Sequence, residues 1–262
     1  MKLSLSNIAW DIHSNDEIFR FMENHSFYGL EIAPSLMFGT SPYDNQKQSR
    51  IIAKNLFKKY HLKIVSMQSL WYGKTERIFE SEENQRVLLD YTKASIDLAN
   101  TIECNILVFG CPKNRIINSE NEYNMAYDFF ESIGEHAIKK GVFFCLEPNP
   151  VIYGTNFLNT TMEAIEFCRK LDNKGVGVNL DYGTIIYNNE AIDFSDEEMS
   201  YIKHVHLSEP MLIPIVKREE HKVLKKVLER TQYDGCVSIE MVRTENKDDI
   251  IKAGEYLKEV FG

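Results

Sequence analysis

Residues Tyr123–Leu146 read YNMAYDFFESIGEHAIKKGVFFCL and contain one complete step from helix to strand. Ala126, Phe129, Phe130, Ile133 and Ala137 share one face at the helical period. Lys139 and Lys140 place positive charge at the C-terminal end of the dipole, and Gly141 stops the helix. Val142–Leu146 then runs apolar without alternation, the pattern of a strand covered on both faces. The same unit recurs outward in both directions. Ser81–Asn100 sets Val87, Leu88, Tyr91, Ala94 and Leu98 on one face. Asn159-Thr160-Thr161 offers N-cap chemistry before a further apolar-periodic stretch.

Strands are expected at Leu3–Ile8, Tyr28–Ile32, Lys63–Met67, Asn105–Phe109, Val142–Leu146, Val176–Leu180, Lys203–Leu207 and Cys236–Ile239. Eight such units fill 262 residues, without an interdomain linker or a low-complexity segment. That repeat favours an α/β fold closed as a (β/α)₈ barrel, with residues 1–262 as a single domain. A doubly wound open sheet would want a Gly-rich turn after the first strand, and Asn7-Ile8-Ala9-Trp10 is no such turn.

Composition narrows the function. Apolar residues make up 44% and charged residues 26%, which excludes disordered and fibrous classes. A net charge of −9 argues against binding to nucleic-acid backbones. No apolar run approaches a membrane span, and the N-terminal MKLSLSNIAWDIH is too interrupted for a signal peptide. Five cysteines, an odd count with no CxxC pair, suit a reducing compartment, so a cytoplasmic protein is expected. Cys145 and Cys236 lie within apolar runs, as buried thiols do.

In such a barrel the chemistry gathers at the C-terminal ends of the strands. Strand five ends in CLEPNP with Glu147 at its tip, and strand six in VNLDYGT with Asp181. Strand seven reads HVHLSEP, carrying His204 and His206 on one face with Glu209 just beyond, and strand eight ends in SIEMV with Glu240. Each carboxylate alone reads as a helix cap, and each His as a hydrogen-bonded core residue. Together, three carboxylates at one mouth repel one another and lose hydration unless something neutralises them. A divalent cation does so, and three carboxylates with one imidazole suit Mn²⁺, Mg²⁺, Co²⁺ or Zn²⁺.

LEPNP, NLDYGT, HVHLSEP and YDGCVSIE, in that order, with YGLEIAP at the second strand, resemble the xylose isomerase-like TIM-barrel superfamily of sugar and sugar-phosphate isomerases and epimerases. The resemblance spans the chain and is strongest over 142–242. It implies that Glu147, Asp181, His206 and Glu240 hold one metal ion and that Glu147 and Glu240 form an acid/base pair. Epimerisation beside a carbonyl removes a weakly acidic C–H proton; one glutamate takes it and the other returns one to the opposite face. A metal-assisted dehydratase of a keto-polyol and a non-catalytic sugar-binding protein are the alternatives on the same fold. The implied partner is a small carbohydrate, and family members often form dimers or tetramers.

The chain departs from ketose 3-epimerases of that superfamily at three places. Thr184 stands where they carry His, Leu212 where they carry Arg, and Tyr153 where they carry Glu. With only seven histidines and no DxxH on strand six, it also lacks the pattern of the endonuclease IV branch. Asn7, Glu31 and Gln68 end strands one to three and could bond sugar hydroxyls or serve as caps and supports. Trp10, Trp71 and Tyr72 could wall a sugar ring or simply pack. Lys113, Arg115, Lys217 and Arg218 could hold a phosphate or stay solvated.

Overall fold

Eight parallel strands close on themselves in chain order. The computed structural model describes residues 1–262, the side chain of Glu120 excepted. The strands are β1 (Lys2–Ser6), β2 (Gly29–Ile32), β3 (Lys63–Met67), β4 (Ile106–Phe109), β5 (Phe143–Leu146), β6 (Val176–Asp181), β7 (Ile202–Leu207) and β8 (Cys236–Ile239). Each pairs with its sequence neighbour, and β1 closes on β8. The helices are α1 (Asn15–Asn24), α2 (Pro34–Phe38), α3 (Gln46–Tyr60), α4 (Glu82–Thr101), α5 (Glu120–Lys140), α6 (Thr161–Leu171), α7 (Tyr182–Asn188), α8 (Asp196–Tyr201), α9 (Glu220–Arg230) and α10 (Asp248–Phe261). The (β/α)₈ expectation holds. Among the described residues no helix is long and apolar enough to cross a membrane.

Element ends follow local chemistry. Ser81 caps α4 by accepting from the Asn84 N–H at 3.1 Å. Thr160 and Glu163 form a reciprocal capping box on α6. Gly141 ends α5 in the left-handed region at φ 67°, where its backbone N–H reaches back to Ala137 and Ile138. α5 starts three residues before Tyr123, because its first turn is polar and carries no apolar period. β1 stops at Ser6 because Asn7–Ala9 turns into a 3₁₀ segment.

The apolar core lies between barrel and helices. Its densest part is aromatic: Phe109, Phe130, Phe144, Phe157 and Phe167 pack with centroid separations of 5.3–6.2 Å for the contacting pairs. The barrel lumen is different. Ser4, Ser6, Glu31, Ser66, Asn179, His204, His206 and Ser238 are all fully buried there or at its upper edge. Most barrels fill that space with branched apolar side chains. Register shifts opposite Leu30/Glu31 and Val178/Asn179 leave Val65 of β3 and Lys203 of β7 as extra residues, where the polar residues of these strands begin.

Candidate active site

β7 carries His204 and His206 two residues apart, so the strand alternation puts both imidazoles on the lumen side. Their Nε2 atoms lie 2.9 and 3.0 Å from the same atom, Glu31 Oε2. Ser66 Oγ donates to that oxygen at 2.7 Å. A carboxylate bonded in this way holds a proton on His206 Nε2, so Nδ1 points the other way and carries the lone pair whenever the imidazole is neutral. That Nδ1 is buried and has no hydrogen-bond partner. It lies 3.0 Å from Glu240 Oε2 and 3.3 Å from Glu147 Oε2.

Glu147 follows β5, with its backbone N–H still bonded to Phe109 O at 3.0 Å. Asn149 Nδ2 donates to its Oε1 at 2.8 Å and Asn179 Nδ2 to its Oε2 at 3.0 Å. Beneath them the buried Arg115 donates to Glu147 O at 2.6 Å and to Asn149 Oδ1 at 2.7 Å. Gly110 is required here, since a Cβ at that position would lie 2.8 Å from Glu147 Oε1. Glu240 follows β8, with its N–H bonded to Leu207 O at 3.1 Å. Asp181 ends β6 and caps α7: its Oδ2 accepts from the Thr184 N–H at 2.8 Å, and Ser208 Oγ donates to its Oδ1.

The structure therefore brings Glu147, His206 and Glu240 together, with one donor atom from each within 4.8 Å of the others. Asp181 lines the same cavity, but its oxygens are engaged by Ser208 and Thr184. The cavity measures about 220 Å³. Glu147, Asp181 and Glu240 are each under 9% exposed at its floor.

The electrostatics separate these acids. Burial, with the charges of Glu147 and Asp181, pushes Glu240 up to about 7. Burial and Glu147 likewise push Asp181 up to about 6. Burial alone would raise Glu147 too, but His206, Asn149 and Arg115 outweigh it and hold the carboxyl below its usual range. Burial disfavours the imidazolium of His206, yet Glu31, Glu240 and Glu147 raise it well above the ordinary value. An excess of buried carboxylates around an unpartnered imidazole nitrogen is the donor set of a divalent cation site. The residues present fit such an ion.

Several other sequence candidates take different places. Glu31 is fully buried below the cavity, where it bonds imidazoles and hydroxyls. Gln68 lines the cavity and is braced by Ser6 and Ser69 at 2.9 Å each. Trp71 is core, packed on Phe109 and bonded through Nε1 to Thr92 Oγ1 at 2.9 Å, while Tyr72 is 75% exposed outside the cavity. Of the four cations considered for phosphate, none lines the cavity. Arg115 is buried under Glu147, Arg218 pairs with buried Glu209 at 2.6 Å, Lys217 pairs with Glu259 at 3.2 Å, and Lys113 is exposed.

The three departures each have a visible role. Thr184 Oγ1 lies 2.8 Å from both Asp181 Oδ2 and Pro148 O, tying two loops together. Tyr153 lines the cavity, accepts the Met211 N–H at 2.8 Å, and is pushed up to about 12 chiefly by burial. Met211 and Leu212 both have positive φ, 61° and 54°, a strained turn held by Leu212 O accepting from Val242 N at 2.7 Å. That turn makes Leu212 an apolar wall of the cavity. Arg115, Asn149 and Asn179 as supports of Glu147 were missed by sequence reasoning. The signal for Glu31 was present, a charged residue inside the apolar GLEI strand.

The chain matches the family model described as xylose isomerase-like TIM barrel over residues 19–260. No curated protein sequence matches it. Among solved structures it is similar to the 3-keto-D-glucoside 4-epimerase of E. coli, with 17% identity, 99% of each chain covered and a TM-score of 0.76. It is similar to the D-psicose 3-epimerase of Clostridium cellulolyticum H10, with 15% identity, 100% and 99% of the two chains covered and a TM-score of 0.77. An AP endonuclease of family 2 from Brucella melitensis is also similar, with 17% identity, 99% of each chain covered and a TM-score of 0.75. At such identities the likeness is one of fold. The family match, spanning nearly all of the chain, places this protein in the xylose isomerase-like TIM-barrel family.

Proposed function

We propose that the protein, acting as one barrel domain over 1–262, is a divalent-metal-dependent isomerase or epimerase of a small keto-sugar. The observation that carries this reading is the unpartnered Nδ1 of His206 facing Glu147 and Glu240 at the floor of a closed-in cavity. Glu147, His206 and Glu240 would hold the ion, with Asp181 joining once Ser208 or Thr184 releases one of its oxygens. The ion would be Mn²⁺, Mg²⁺, Co²⁺ or Zn²⁺, and when bound it supplies charge for the oxyanion that develops as a C–H beside a carbonyl loses its proton.

The protein's own groups divide the proton work. Two glutamates whose environments push their acidities apart are the signature of an acid/base pair. Glu147, held ionised by His206, the Asn149 hydrogen bond and the Arg115 charge, is the group suited to take a proton. Glu240, raised toward neutrality by burial, is the group suited to give one back. Glu31 keeps His206 in the tautomer whose Nδ1 is free to bind. Similar proteins are described as epimerases of D-psicose, in one case solved with D-tagatose, and of a 3-keto-D-glucoside, all neutral sugars. A neutral substrate fits here too, because no Lys or Arg among the described residues lines the cavity. Five free thiols support a reducing, cytoplasmic setting.

The test pairs metal content with solvent exchange. Protein purified without chelators should carry about one divalent ion per chain, and His206→Ala should lose it. The metal-loaded protein should incorporate solvent deuterium beside the carbonyl of a neutral ketose with no change of composition. A chain that refuses Mn²⁺, Co²⁺ and Zn²⁺ would be a non-catalytic sugar binder. A product lighter by one water would make it a dehydratase.

A further inference from the structure

A second cavity of about 510 Å³ opens beside the first, and Ile8 lines both. It is formed by the segments that follow β1, β2 and β8, the last of which also carries Glu240. The metal cavity, at about 220 Å³, is below the roughly 300 Å³ at which pockets for larger ligands begin. It has room for a small molecule, and the neighbouring cavity more than doubles the space.

The second cavity combines apolar and polar lining around the buried Asn7 and Trp10. Ile12 and Leu36 line it while remaining 58% and 47% exposed, and Ile8 and Met37 extend the same surface. Large apolar side chains facing a cavity beside a reaction site form a contact surface. The lining also carries hydrogen-bonding groups. Asn7 Oδ1 accepts from the Ala33 N–H at 2.7 Å, so what Asn7 can offer the cavity is its NH₂ group. Arg243 and Asp11 pair across the rim at 2.7 Å, presenting donors and acceptors side by side. A sugar ring has the complementary character: an apolar face of C–H groups and a periphery of hydroxyls. A purely aliphatic tail would leave the polar lining unused, and the paired Arg243 charge disfavours a free anion.

We infer that this cavity is a subsite for a sugar ring attached to the reacting sugar, so that the substrate class is a glycosylated keto-sugar. The inference rests on the reading above that the metal cavity takes the keto-sugar. The strand-seven turn adds to it. Leu212 and Tyr153 wall the cavity on the β5 and β7 side, whereas Ile8, which lines both cavities, follows β1.

Calorimetry on the Mn²⁺-loaded protein tests it with two sets of probes. One set is D-fructose, D-tagatose and D-psicose; the other is the keto-disaccharides turanose, maltulose, isomaltulose and lactulose. At least one disaccharide should bind roughly tenfold more tightly than any monosaccharide. Ile12→Glu and Leu36→Glu, both at exposed positions, should abolish that advantage while leaving monosaccharide affinity and the thermal midpoint unchanged. Saturation transfer should reach the protons of the second ring in the unmodified protein. Monosaccharides binding as well as every disaccharide would overturn the subsite alone, as would an advantage that survives both variants. If neither set bound the metal-loaded protein, the keto-sugar reading and the subsite would fall together.

Discussion

Two layers of the barrel interior use the same two side-chain types in opposite proportion. In the lower layer one carboxylate, Glu31, meets two imidazoles and the Ser66 hydroxyl. In the upper layer one imidazole, His206, meets Glu147 and Glu240, with Asp181 beside them in the cavity. The carboxylate of the lower layer is satisfied, although the buried Nδ1 of His204 has no hydrogen-bond partner. Burial would raise Glu31, but His206 and His204 hold it well below the usual carboxylate range. The upper layer is not: Glu240 and Asp181 are both raised, and His206 keeps a nitrogen without a partner. A closed network stabilises and positions, while an open one binds. His206 belongs to both layers, one nitrogen in each, and so transmits the order of the first to the second.

The comparison can be broken from above. Glu240→Gln keeps the volume and removes the titratable proton, so turnover should fall roughly 100-fold or more with the fold retained. Steady-state rates and a thermal melt check it, and retained turnover would remove Glu240 from the acid/base role. From below, Glu31→Gln keeps an oxygen for the two His N–H groups but removes the charge that faces them. Affinity for Mn²⁺ should drop about 10- to 100-fold, and stability by about 3 kcal/mol or more, because a buried charge network has lost one partner. Unchanged Mn²⁺ affinity by titration calorimetry would show that the lower layer does not orient the upper.

A pH titration sharpens the contrast further. Glu240 and Asp181 have folded values of about 7 and about 6, above those of free carboxyls, so the folded state holds protons that the unfolded chain has already released. Their stabilising contribution is present at low pH and is lost as pH rises through the folded values. His206, raised in the folded state, acts in the same direction. His204 and His221, both lowered by burial, act in the opposite sense, so the upper layer is read against Glu240→Gln. Between pH 5 and pH 8 the metal-free protein should lose more thermal midpoint than that variant, and Mn²⁺ should restore the difference while binding more tightly at the higher pH. Equal pH slopes for the two proteins over this range would contradict the charge imbalance of the upper layer. The smallest effect is expected at Ser66→Ala, which removes one hydroxyl donor at 2.7 Å from Glu31 and should cost about 1 kcal/mol in denaturant unfolding. A loss as large as that of Glu31→Gln would mean that the hydroxyl, not the imidazoles, anchors the carboxylate.

The barrel was legible in the chain because its signals are local. Lys63–Met67 and Cys236–Ile239 fall on the residues expected from their apolar runs, and the others shift by one or two where a turn or cap intervenes. The strand tips were legible for the same reason: once β5 and β8 are placed, Glu147 and Glu240 must follow their last residues. What those tips touch was not legible. Glu31 meets His204 and His206 across 173 and 175 residues of chain, a pairing set by barrel closure. Arg115 carries no local mark of burial, yet packing places it under Glu147 and makes it a support for a carboxylate in place of a phosphate ligand. Asp181 reads as a ligand at a strand end, and only the approach of Ser208 and Thr184 engages its oxygens. Periodicity along the chain determines where strands and helices lie, because backbone geometry repeats over a few residues. The partners of a buried charge are chosen by whichever distant side chains closure brings within 3 Å, and that only the tertiary structure decides.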